Sequence, residues 1–104
     1  FSRVYVEDIG SAICKSMNKP TPGEVFNLCD DMPCQSFEIV RYAASLKKIS
    51  KIKTLSYDDP KLNEKVRSFY FDNKKVRNLK IKKILGWTPK YGNYKLGLKR
   101  ILEI

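Results

Sequence analysis

The chain has 104 residues, one folding unit near the smallest size at which a single apolar core stabilises itself. Its 42% apolar and 31% charged composition fits a soluble globular protein, and no apolar run approaches the length of a membrane span. Twenty-one Lys and Arg against eleven Asp and Glu leave a net charge of +10, while the lack of any His excludes Ser–His or Cys–His catalysis and His-containing zinc sites.

"SRVYVED" alternates Val4 and Val6 with Arg3 and Tyr5, the period of a short strand, and Asp8 is placed to cap a helix over "IGSAICKSM". That helix sets Ile9, Ala12, Ile13 and Met17 on one face. A chain opening on a strand this way is expected to be a piece of something longer. Two prolines and Gly23 make "NKPTPG" a loop, and "EVFNLCD" follows as a second strand with Phe26 and Leu28 on one side. After the turn "DDMPCQ", Ser36 opens a helix whose apolar stripe is Phe37, Val40, Ala43 and Ala44. "KIKTLSY" reads as a third strand ended by "DDP", and "KLNEKVRSF" as a short helix leading into Phe69, Tyr70 and Phe71. A helix from about Val76 stops at Gly86, with Val76, Leu79, Ile84 and Leu85 toward the core and Pro89 barring continuation. A last helix over "NYKLGLKRILEI" carries Leu98, Ile101 and Leu102 inward. The expectation is an α+β fold, one domain over residues 1–104 with three short strands and four to five helices.

Little of this carries catalytic chemistry. The scattered glycines form neither a dinucleotide nor a Walker phosphate loop. Three thiols, Cys14, Cys29 and Cys34, are too few for an all-cysteine zinc site and read as ordinary reduced cysteines of a cytoplasmic protein. Asp30–Asp31 and Asp58–Asp59 read as turn aspartates rather than an acid/base couple. Tyr-x-x-x-Lys occurs at Tyr57/Lys61, Tyr70/Lys74 and Tyr91/Lys95, but Pro60, Asn73 and Gly92 keep each pair off a continuous helix, so no catalytic residue is assigned. What remains is binding: Arg3, Arg67 and Arg77 can fork onto phosphate, and Tyr5, Phe69 and Tyr70 can stack on a base or sugar. Sixteen of the basic residues are lysines, which favour polyanions loosely and also serve as solvated surface charge.

Three stretches together resemble the C-terminal part of an extended short-chain dehydrogenase/reductase of the NAD-dependent epimerase/dehydratase family, in an epimerase-like subgroup. They are "VYVEDIGSAI", "GEVFNLCDDMPCQSFEIVRYAA" and "KKVRNLKIKKILGWTPKY", the last followed by "YKLGLKRIL". The resemblance covers nearly the whole chain. It implies the substrate lobe of a Rossmann-type enzyme that acts on sugar nucleotides, with Arg67 gripping the diphosphate and Tyr5, Arg3, Phe69 and Tyr70 near the ligand. Many members carry an Arg two positions before Arg3, where this chain has Phe1. The family's NAD(P) fold and catalytic Tyr and Lys lie N-terminal to the matched region. The resemblance therefore implies a chain with no cofactor and no metal of its own, inactive alone. Its partners would be a nucleotide-sugar in the intact enzyme, and either a separate NAD-binding subunit or a second copy of itself. The rival reading is a basic module that binds nucleic acid or another polyanion, with the lysine runs around Lys47 and Lys80 in its favour; nucleic acid is the less favoured partner.

Overall fold

The computed structural model describes residues 1–52, 59–71 and 74–103. Among these residues it is all-helical: α1 (Val6–Asn18), α2 (Ser36–Leu46), α3 (Glu64–Phe69), α4 (Leu79–Leu85) and α5 (Tyr94–Leu102). This corrects the α+β expectation. Two of the expected strands, in "SRVYVED" and "EVFNLCD", are absent, and the third, "KIKTLSY", lies from residue 53 onward outside the described residues.

The physical reason is legible in the hydrogen bonds. Residues 1–5 and 24–30 are extended, and their alternation survives, with Phe26 and Leu28 turned to the core and Val25 and Asn27 outward. Yet the backbones share isolated bonds in place of a ladder: Asp30 donates to the Arg3 carbonyl and Cys34 to the Phe1 carbonyl. Side chains take the remaining groups. Asn78 Nδ2 donates to the Cys29 carbonyl at 2.9 Å, Lys80 Nζ to that of Val25 at 2.8 Å, and the Val76 amide donates to Ser2 Oγ at 2.7 Å.

α1 starts two residues earlier than its expected cap, with Tyr5 as N-cap and Asp8 inside the first turn. Asp8 serves the opposite end of the chain instead. Its carboxylate, 2% exposed, accepts from the amides of Lys90 at 2.8 Å and Tyr91 at 2.9 Å. α2 begins at Ser36 as expected, and Glu38 reaches back to the Gln35 amide. Asn63 and Asn93 cap α3 and α5 by accepting from Val66 and Leu96. α4 is shorter than expected because residues 74–78 stay outside it, with Val76 bonded to Ser2 and Cys29. Gly86 ends it at φ 67°, a left-handed conformation costly for a residue with a Cβ.

The core is small: Ala12, Ile81, Leu85 and Trp87, flanked by Val4, Phe26, Leu28 and Ile84. Trp87 is its centre at 1% exposure, and its Nε1 donates to the Asp8 carbonyl at 3.1 Å and to Ser11 Oγ at 3.0 Å. A second contact joins α2 to α5, where Tyr42 and Tyr94 meet edge-on at 5.6 Å between ring centres. Several residues expected inside are out: Ile13, Met17, Phe37, Val40, Val76, Leu79 and Ile101 are all exposed. The body is a slab only 17 Å through its thinnest extent, too thin to cover both faces of its helices.

Candidate functional site

The five expected binding residues fall into two groups. Arg3 and Tyr5 are built into the fold. The Arg3 guanidinium donates to the Cys34 carbonyl at 2.8 Å, to Ser36 Oγ at 3.0 Å and, more loosely, to Cys34 Sγ and the Phe1 carbonyl. It thereby ties the first extended segment to the start of α2. Tyr5 lies against Tyr91, ring centres 4.5 Å apart, and against the face of Gly97 in α5. Gly97 is required there, since a Cβ would stand 2.9 Å from the Tyr5 ring.

Arg67, Phe69 and Tyr70 come together on and just after α3. Phe69 stacks on Phe1 at 5.7 Å and 10° between planes, and Tyr70 meets both rings edge-on at 5.7 and 5.1 Å. Phe1 is thus the floor of an aromatic cluster. The Arg3 guanidinium lies 5.9 Å from its ring centre. Phe69 remains 65% exposed and Phe71 77%. Beside the cluster, Glu64, Lys65, Arg67, Ser68 and Phe71 line an open hollow of about 550 Å³. Arg67 Nη2 donates to the carbonyls of Asp59 at 3.0 Å and Leu62 at 3.4 Å, which anchors the guanidinium at the hollow's wall. One ring, that of Phe71, lines the concavity together with the cations Lys65 and Arg67, the carboxylate of Glu64 and the hydroxyl of Ser68.

Sequence reading missed a second polar centre. Asn78, buried, donates to Asp31 Oδ1 at 2.8 Å, and Lys82 Nζ reaches the same oxygen at 2.6 Å. Burial pushes the Asp31 carboxyl up, but the hydrogen bonds from Asn78 and Lys82 and the charge of Lys82 outweigh it and hold it below the ordinary range. Its neighbour Asp30 goes the other way: burial raises it, and Asp31 adds to that. Asp30 Oδ1 accepts from the Met32 amide at 3.0 Å, the Asx turn expected of it. Burial also raises the thiols of Cys29 and Cys34, so both stay protonated and unreactive. Nothing in the periodicity marks Asn78, because its role is to satisfy carbonyls left by the missing ladder.

Of the Tyr-x-x-x-Lys pairs, only Tyr91/Lys95 lies wholly within a described stretch. Tyr57 lies outside the described residues, and Tyr91 is followed by turn residues before α5. Its phenol is raised by burial and by Glu7, the opposite of what a base requires. Among the described residues no group of His, Cys, Asp or Glu could hold a metal ion, and no helix is long and apolar enough to cross a membrane.

Neither a family model nor a curated protein matches the chain. A solved structure does: a functionally unknown conserved protein from Silicibacter pomeroyi DSS, 42% identical, with a TM-score of 0.94 over 99% of this chain. The match spans only 36% of that protein. The fold described above is therefore shared with one part of a chain nearly three times as long.

Proposed function

We propose that this chain is the substrate-binding lobe of a nucleoside-diphosphate-sugar epimerase/dehydratase-like protein, which holds the nucleotide-sugar and performs no chemistry alone. The observation that carries the reading is that α3 sets Arg67, which lines an open hollow with Lys65 and Phe71, two and three residues before Phe69 and Tyr70, which cluster with Phe1. Stacked rings suit the base, and the anchored guanidinium suits the diphosphate. The motif resemblance named this same arginine and two of these rings. Arg3 and Tyr5 act at one remove, by fixing Phe1, α2 and α5 in place.

The test is a titration of the isotope-labelled chain with UDP-glucose, followed by amide NMR shifts. Saturable shifts centred on residues 67–71, weak in the isolated chain and lost in Arg67→Gln, are expected. NAD and NADP should produce none. Shifts clustered elsewhere, or reduction of NAD by the isolated chain, would overturn the reading.

The polyanion alternative rests on the +10 net charge. Lys80 pairs with Glu24 and Lys82 with Asp31, pairs that the net charge already counts, so the full excess remains. Tight, steeply salt-dependent binding to unrelated RNA would favour it over the sugar-nucleotide reading.

A further inference from the structure

The buried side of α1, facing Trp87 and the core, is marked by Ala12 and the hydrogen-bonded Asp8. At about 100° per residue, Val6, Gly10, Ile13, Cys14 and Met17 fall together on the opposite side, and all five are exposed. Val6 is 69%, Ile13 55% and Met17 74% open to solvent. Glu7, Ser11, Lys15 and Asn18 lie along one flank and Ser16 on the other. A surface helix sets charge opposite its buried stripe, whereas here the opposite side carries none. Five adjoining positions without a charge, in a chain where 31% of residues are charged, are not ordinary surface.

We propose that this outer face of α1 is a seam against a second folding unit, the counterpart of the part of the Silicibacter protein that lies outside the match. That unit would meet it with an uncharged apolar surface. Two observations select this occupant. The relative carries the same fold within a chain nearly three times as long, so there the fold exists with more protein beside it. A second copy is the weaker fit, because it would bring together two bodies each of charge +10 across a face with no anion to offset them. Gly10, with open space beyond its Cα, lets a partner backbone approach closely at the middle of the stripe. The seam stands independently of the sugar-nucleotide reading, sharing with it only the presence of another unit.

Cys14 lies in this face while Cys29 and Cys34 are buried, so its thiol reports directly on cover. The experiment grafts this chain in place of the matched part of the Silicibacter protein and compares maleimide labelling of Cys14 in the graft and in the isolated chain. Labelling slowed by roughly tenfold or more in the graft, as a covered site requires, is expected; equal rates would overturn the proposal. Should the graft not fold, a cysteine placed in the Silicibacter protein itself, at the position aligned with Ile13, gives the same reading. There a slow thiol supports the seam and a freely reactive one refutes it. Protection of Cys14 in the isolated chain that grows with concentration, together with a dimer in sedimentation, would assign the face to a second copy and also overturn it. Loss of UDP-glucose binding leaves all of these outcomes unchanged, so the two proposals fail separately.

Discussion

Replacing Asp8 should unfasten the two ends of the molecule. In Asp8→Ala the amides of Lys90 and Tyr91 both lose their acceptor, at sites now reached at 2.8 and 2.9 Å by a carboxylate that is 2% exposed. A buried donor left unsatisfied costs about 1–3 kcal/mol, so two cost roughly 2–6 kcal/mol, less whatever water recovers at the partly buried amides. A small domain has only about 5–15 kcal/mol in total, so the variant should be close to unfolding. Asp8→Asn keeps one acceptor oxygen and turns its amide toward the other N–H, so it should lose about half as much. The Asp8 carbonyl that receives Trp87 Nε1 is backbone and survives both changes. Urea unfolding followed by the fluorescence of Trp87, the only tryptophan, measures the difference directly. A loss below about 1 kcal/mol for Asp8→Ala, or equal losses for the two variants, would refute the reasoning.

Other outcomes follow from the same structure. Gly97→Ala should destabilise by about 1–3 kcal/mol through its clash with the Tyr5 ring, reduced by the better helix propensity of alanine; pairing it with Tyr5→Leu in a thermal melt should recover most of the loss. Asn78→Ala should cost about 2 kcal/mol in urea, since it strips the Cys29 carbonyl and Asp31 of a buried donor. Asp30 titrates above its ordinary 3.8 when folded, so its charged form penalises the fold increasingly as pH rises from that value through the raised one. Asp30→Asn, which keeps the acceptor for Met32, should raise the urea midpoint at pH 7 and leave it unchanged at pH 3. Asp31 is held below 3.8, so its contribution is present above that value and lost as pH falls through the lowered one. Lys82→Met should therefore shift acid unfolding to higher pH, which a far-UV titration would detect.

The helices were mostly legible in the sequence because their signals are local. Ser36 opens α2 beside its cap Gln35, and Gly86 ends α4 with a left-handed stop, signals that depend on a few neighbouring residues. The strands were not, because a strand is defined by its partner. The alternation of Phe26 and Leu28 with Val25 and Asn27 held, yet the ladder it implied was replaced by Asn78, Ser2 and Lys80 side chains. Helix faces misled in a consistent direction. Ile13 and Met17 were placed inside because periodicity reports an apolar face without saying whether this chain covers it. For the site, aromatic and cationic residue types drew attention to Arg67, Phe69 and Tyr70, which lie on and just after α3. They could not separate these from Arg3 and Tyr5, whose partners at Cys34 and Gly97 are distant in sequence.

The bond from Asp8 to Lys90 and Tyr91 also bears on how the chain is made. α1 leaves the ribosome before residues 87–91, whose amides and indole fix it. Until they follow, α1 lacks these inner neighbours and is an amphipathic segment with an exposed apolar stripe, the kind of species that holdase chaperones recognise. Order in this molecule thus arrives from the C-terminal end backward, and a nascent chain stalled before Trp87 should be protease-sensitive throughout α1.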